Sequence, residues 1–219
     1  DDDDDNNDDD NTVVEEPVSP GSANFTKYVA LGDSFAAGYS DGALFKKGQE
    51  GSYVNILSQQ FAEAGGGEFK TPFTSDNIGG LLLGGNQIAT ARLYFNGSGP
   101  VTVSGTPTTE VSTVLSGPFN NLGVPGAKSY HLVAPGYGNV AGVATGAANP
   151  YFARFATASG TTVLADALVQ APTFFSLWIG GNDELGYATA GGDATVNPLT
   201  PPATFNAVYN SMLTKLTTG

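Results

Sequence analysis

Three short apolar runs, each ending abruptly in a glycine-bearing polar turn, constrain the fold of this chain more than any other feature of its sequence. The first is Lys27–Leu31 (KYVAL), which runs into Gly32-Asp33-Ser34. The second is Phe119–Leu122, which runs into Gly123-Val124-Pro125-Gly126. The third, Thr173–Ile179 (TFFSLWI), is almost continuously apolar and runs into Gly180-Gly181-Asn182-Asp183. A run of that length and composition suits a strand buried on both faces of a parallel sheet. Between and after them lie segments with helical spacing. Ser52–Ala64 carries Tyr53, Ile56, Leu57, Gln60 and Phe61 on one predicted face, with Gly65 as a stop. Thr162–Gln170 and Ala203–Leu216 repeat the pattern, the latter through Phe205, Val208, Tyr209, Met212, Leu213 and Leu216. Strands alternating with helices predict an α/β fold, a doubly wound parallel sheet flanked by helices in three layers.

The intervening stretch, about residues 66–117, is rich in glycine. Its alternating run Ile88–Phe95, followed by Asn-Gly-Ser-Gly-Pro and Val101–Ser104, predicts a β-hairpin insertion. At the other extreme, residues 1–25 are acidic and of low complexity, and are expected to form a disordered tether. A parallel sheet needs each crossover helix to lead into another strand. A chain that stops after a helix and Gly219 is therefore expected to be the N-terminal part of a longer fold, with residues 26–219 forming one domain whose C-terminal part is missing.

Charge and composition exclude several functions. The formal net charge is −13, and residues 1–16 alone hold eight Asp and two Glu with no Lys or Arg. The remainder is nearly neutral and has no basic patch, which argues against nucleic-acid binding. With no Cys and one His, these residues offer no disulfide framework, no thiol nucleophile and no multi-histidine metal site, and no cofactor is expected. No apolar run approaches the ~20 residues of a membrane span.

The turns after the three runs carry the chemistry. A Ser at the carboxyl end of a strand, preceded by Gly32, can present its hydroxyl and its own N–H to one ligand. Gly126 can direct a backbone N–H at a carbonyl oxygen with no side chain in the way. Asn182 can offer its side-chain amide to the same oxygen. Each piece alone also fits a plainer role: a polar turn for Asp33-Ser34, a strand-to-helix turn for Gly126, a helix cap for Asn182-Asp183. The G-x-S-x-G pentapeptide of the α/β-hydrolase elbow is absent.

Taken in order, LGDSFAAGY, NLGVPGAKS and WIGGNDEL resemble blocks I, II and III of the GDSL/SGNH hydrolase family. The resemblance covers residues 27–219, with the long 66–117 insertion as a departure from compact members. It implies a serine carboxylic-ester hydrolase with Ser34 as nucleophile and an oxyanion hole built from the Ser34 N–H, the Gly126 N–H and the Asn182 side chain. The family draws its base and acid from an Asp-x-x-His block, and no such sequence occurs in these 219 residues. His131 is read as a structural or pocket-lining histidine, and the family uses neither Asp33 nor Asp183 as its triad acid. Loss of the base typically removes about six orders of magnitude of turnover, so this polypeptide by itself is expected to be nearly inert.

The acidic leader, the insertion and phrases such as HLVAPGYGN are similar to a Bacteroidetes branch of surface lipoproteins. That likeness implies an extracytoplasmic, outer-membrane or cell-surface location, membrane association through an N-terminal lipid anchor, and other outer-membrane surface proteins as neighbours. The implied substrate is an ester of a lipid or an acylated glycan, with Leu81–Leu83 and the aromatic residues of the insertion as candidates for an acyl pocket. The alternative from another class is a non-catalytic surface-anchored binding or accessory protein that keeps the fold.

Overall fold

The structure, a computed structural model, describes residues 16–218. The chain opens with β1 (Tyr28–Gly32), α1 (Ser34–Ala37), α2 (Lys46–Glu50) and α3 (Tyr53–Glu63). Two small ribbons follow, formed by β2 (Leu81–Leu83), β3 (Asn86–Ala89), β4 (Leu93–Phe95) and β5 (Pro100–Thr102). Next come β6 (Asn121–Gly123), a 3-10 helix at Ser129–Val133, α4 (Val140–Val143), α5 (Pro150–Ala153) and α6 (Val163–Leu168). The last elements are β7 (Phe174–Trp178), α7 (Gly181–Thr189) and α8 (Pro202–Thr218).

The three predicted strands assemble into one parallel sheet in the order β6-β1-β7. The central strand β1 is buried along its whole length and serves two cores by simple alternation. Val29 and Leu31 face one side, where they pack with Leu122, Val124, Leu132, Phe152, Val163, Leu164, Met212 and Leu216. Tyr28 and Ala30 face the other, against Val54 and the half-buried Tyr53, Leu57 and Phe61 of α3. Helices thus cover both faces, and the molecule is mixed α/β with a parallel three-strand sheet between helical layers.

Several expectations change in detail. In β7 the side chains are half-buried and Trp178 is 57% exposed, because β7 lies at the edge of the sheet and not in its middle. The buried line of α3 is turned from the predicted one: Val54 and Asn55 point inward, while Ile56 is 51% exposed. The predicted run Ile88–Phe95 is not one strand. Its first half ends β3, which pairs with β2 across a Gly84-Gly85 turn, and its second half is β4, paired with β5 across Asn96–Gly99. The insertion therefore holds two hairpins.

The early part of the insertion is tied firmly to the body. Asn120 accepts the Lys70 N–H through Oδ1 (2.8 Å), and the Lys70 carbonyl accepts the N–H groups of Asn120 and Asn121. Buried Gln49 donates to Pro72 O and accepts from Thr74, while Arg154, 2% exposed, donates to the carbonyls of Pro72 and Phe73. These bonds answer the need of buried polar groups for partners. Of the predicted tether, residues 1–15 lie outside the described residues. Glu16–Pro20 is exposed and without regular structure, whereas Phe25 is already part of the packed molecule, its ring stacked 4.0 Å from Phe61.

Candidate active site

The carboxyl ends of β1, β6 and β7 come out side by side, so the three predicted turns meet over one edge of the sheet. The close approach of α1 to the strands requires glycine at two places. A Cβ on Gly32 would lie 2.8 Å from both the Ala36 Cβ and the Trp178 carbonyl oxygen, and one on Gly123 would lie 2.6 Å from the Ala36 carbonyl carbon. Both distances are far inside van der Waals contact, so α1 rests directly on the backbone of β1 and β6. Asp33 caps this short helix by accepting the Phe35 N–H through its carboxylate (3.0 Å), and burial raises its pKa above the ordinary carboxylate value.

Ser34 is the first residue of α1. Its Oγ accepts a long hydrogen bond from the Gly126 N–H, at 3.4 Å. Gly126 has φ +81, a left-handed backbone that L side chains rarely adopt, and nothing lies within 4 Å of where its Cβ would be. The Gly126 N–H is directed at Ser34, and the space where a side chain on Gly126 would stand is empty.

Asn182 reaches the same loop from β7. Its Nδ2 donates to the carbonyl of Ala127 at 2.9 Å, one residue beyond Gly126. An amide nitrogen carries two hydrogens, and the Ala127 carbonyl takes one of them. Asp183 makes a second tie that the sequence did not suggest. Its carboxylate accepts from Ser129 twice, from the backbone N–H at 2.7 Å and the hydroxyl at 2.6 Å, and both residues are buried. The capping role considered for Asn182-Asp183 is not what the side chains do. Gly180 is the N-cap of α7, and both side chains clasp the Gly126–Ser129 loop. No local sequence signal reveals such a clasp, because its two halves are 54 residues apart.

His131 lies on the 3-10 helix after that loop. Its Nδ1 accepts the Lys128 N–H at 3.0 Å, and its ring is stacked on Tyr137 with centroids 4.5 Å apart. Burial, then the positive Lys128, lowers its pKa below the ordinary imidazole value. The ring is thus held by a backbone hydrogen bond and by stacking within the fold. Among the described residues, no group of three or more His, Asp or Glu side chains is placed to hold a metal ion. No described helix is long and apolar enough to cross a membrane.

Beside Ser34, on the α3 side, a groove of about 480 Å³ is lined by Phe35, Gly38, Tyr39, Ser40, Gly48, Gly51, Ser52, Tyr53 and Trp178. A larger cavity, about 660 Å³, opens near Lys27, beyond the amino end of β1 and away from all three turns. The larger cavity is thus not the one beside the three turns. Leu81, a candidate for an acyl pocket, is instead buried in a separate small core with Val111 and Ala153.

What the arrangement can do chemically follows from its donors. The Gly126 N–H lies against the Ser34 hydroxyl, and the Asn182 carboxamide is anchored on the next residue of the same loop; donors held in place by the fold are what stabilisation of a developing oxyanion needs. No protein-family model matches the chain, and no curated protein and no solved structure matches it either.

Proposed function

We propose that this chain carries the nucleophile and oxyanion hole of a serine carboxylic-ester hydrolase of the GDSL/SGNH type. The observation that carries the reading is the Gly126 N–H directed at Ser34 Oγ, at 3.4 Å, with Asn182 anchored one residue further along the same loop. Ser34 Oγ attacks the ester carbonyl carbon and gives its proton to a base. The Ser34 and Gly126 N–H groups and the Asn182 amide hold the negative oxygen. The carbonyl then re-forms, the alcohol leaves with that proton, and water releases the acid from the acyl-serine.

The base belongs to an Asp-x-x-His segment that these 219 residues do not contain. His131 is unsuited to the task, since its Nδ1 is engaged by Lys128 N–H and its ring is packed against Tyr137. The activity test therefore uses the complete natural gene product. We expect Ser34 to be labelled by a fluorophosphonate, and Ser34→Ala to abolish both labelling and hydrolysis of p-nitrophenyl acetate. Asn182→Ala is expected to slow acyl transfer by about 10²–10³-fold without unfolding the protein. Unchanged hydrolysis by Ser34→Ala would overturn the reading.

The engagement of the sole histidine favours one second reading, a surface-anchored binding or accessory protein on the same scaffold. Under it, the complete protein neither reacts with the fluorophosphonate nor hydrolyses esters. In both readings we place the protein outside the cytoplasm, held at a bacterial surface by a lipid anchor.

A further inference from the structure

We infer that the cavity beside Arg154 binds a compact monovalent anion of the halide class, which neutralises a guanidinium that the fold buries and bonds incompletely. The inference is independent of the hydrolase reading. Arg154 ends α5 and is 2% exposed. Its Nη2 donates to the carbonyls of Pro72 and Phe73, at 2.9 and 2.8 Å. Its Nη1 is buried and has no hydrogen-bond partner among the described residues. No carboxylate of those residues forms an ion pair with it; the one ion pair among them joins Lys70 to Glu68 at the surface. Burial pulls the pKa of Arg154 down to about 10, which still leaves it charged at neutral pH. A buried charge without a counter-charge or a full set of hydrogen bonds is costly. The buried carboxylates show the contrast: Asp166 accepts from Thr157 and Thr161, and Asp183 accepts from Ser129.

Two cavities touch the Arg154 side chain. One is about 10 Å³, room for no more than a single water. The other is about 120 Å³, and its wall includes Ser75, Thr109, Glu110, Thr113 and Leu115. That wall carries the donors an anion needs. Buried Thr109 accepts the Ser75 N–H through Oγ1 at 3.0 Å and keeps its own hydroxyl hydrogen to donate. Ser75 and Thr113, both exposed, bring two more hydroxyls. Glu110 is the only acid of the lining, and its oxygens are committed elsewhere. Oε2 accepts the Gly85 N–H, Oε1 accepts the Gly84 N–H and both donors of Ser112, and these bonds hold its pKa down to about 2. One buried positive charge with a fixed negative charge on the wall suits an occupant of charge −1 and disfavours a dianion. Position gives the ion a role. Arg154 belongs to the body of the molecule, whereas Phe73–Ser75 and Thr109–Thr113 belong to the two ends of the insertion, and the Leu115 N–H donates to the Arg154 carbonyl at 2.7 Å. An anion held here ties both ends of the insertion to α5.

The experiment follows the melting temperature of the complete natural protein as sodium bromide replaces sodium gluconate, a salt of a bulky monovalent anion, at constant ionic strength. We expect a saturable rise with bromide. Thr109→Val, which removes one donor and keeps the size of the side chain, should weaken the apparent affinity about tenfold. Glu110→Gln, which takes a negative charge from the wall, should strengthen it. Arg154→Met should lose the bromide response altogether. Bromide-soaked crystals of the parent protein decide the matter even if that variant does not fold. We expect an anomalous peak in the cavity, at hydrogen-bonding distance from Arg154 Nη1. Water alone at that nitrogen, or an equal bromide response in Arg154→Met, would overturn the inference. So would a bromide peak in crystals with no saturable stabilisation in solution, which marks an adventitious ion only.

Discussion

The imidazole of His131 accepts a backbone N–H through Nδ1, so its proton is on Nε2 and the ring is neutral in the folded protein. Burial holds its pKa down, so the unfolded chain takes up a proton at a higher pH than the folded one does. The stability contributed by the neutral ring is complete well above the unfolded value. It is lost progressively as pH falls below about 6.5. We expect the NMR titration midpoint of His131 to lie below that of a free histidine, and a His131→Gln variant to lose less melting temperature between pH 7.5 and 5.5. At Asp183 the prediction concerns both stability and rate. Truncation to Ala strips the buried Ser129 N–H and hydroxyl of their acceptor, which costs about 1–3 kcal/mol. It also frees the loop that carries Gly126. Denaturant unfolding and kcat should fall together in Asp183→Ala; a loss of stability with kcat intact would mean that the clasp does not position the loop.

At the level of elements, the places where sequence and structure agree are those governed by local chemistry. Strand ends followed by glycine and a polar residue were legible, as were helix starts with Ser52 or Thr162 as caps, which accept from Asn55 N and Ala165 N. What stayed hidden depended on neighbours distant in sequence. The apolar string of β7 gave no sign that it would lie at an edge, and Ile88–Phe95 gave no sign that residues 90–92 would break it. Nor does the apolar run KYVAL show which side chains join which core, since both faces of β1 are buried. Packing of α1 on the strands suggests the sharpest element-scale test. Gly123→Ala forces a methyl into the α1 backbone, an overpacking expected to cost about 1–3 kcal/mol. For a domain of this size that means a fall in melting temperature of roughly 2–4 °C per kcal/mol, and calorimetry would measure it. An unchanged melting temperature would show that α1 can lift without penalty.

Across the whole molecule, the meeting of the three turns at one sheet edge was more legible than its surroundings. Ser34, Gly126 and Asn182 could be chosen because each stands at the end of a strand, and topology brings strand ends together. The aromatic groove could not be foreseen. Its rings come from α1, the turn after it, α3 and β7, and single aromatic residues in a sequence look the same whether they form a core or a platform. The Arg154 and Gln49 bonds that bind the insertion to the body were likewise invisible, being buried pairings to backbone carbonyls far along the chain.

Because α1 rests on bare strand backbone, with glycine where any side chain would wedge the two apart, the serine has no hinge of its own. It cannot swing out, as a residue on a mobile loop could, without prising open the central sheet. The resting molecule therefore holds the Ser34 hydroxyl in one place, and a ligand reaching it would require no rearrangement beneath it.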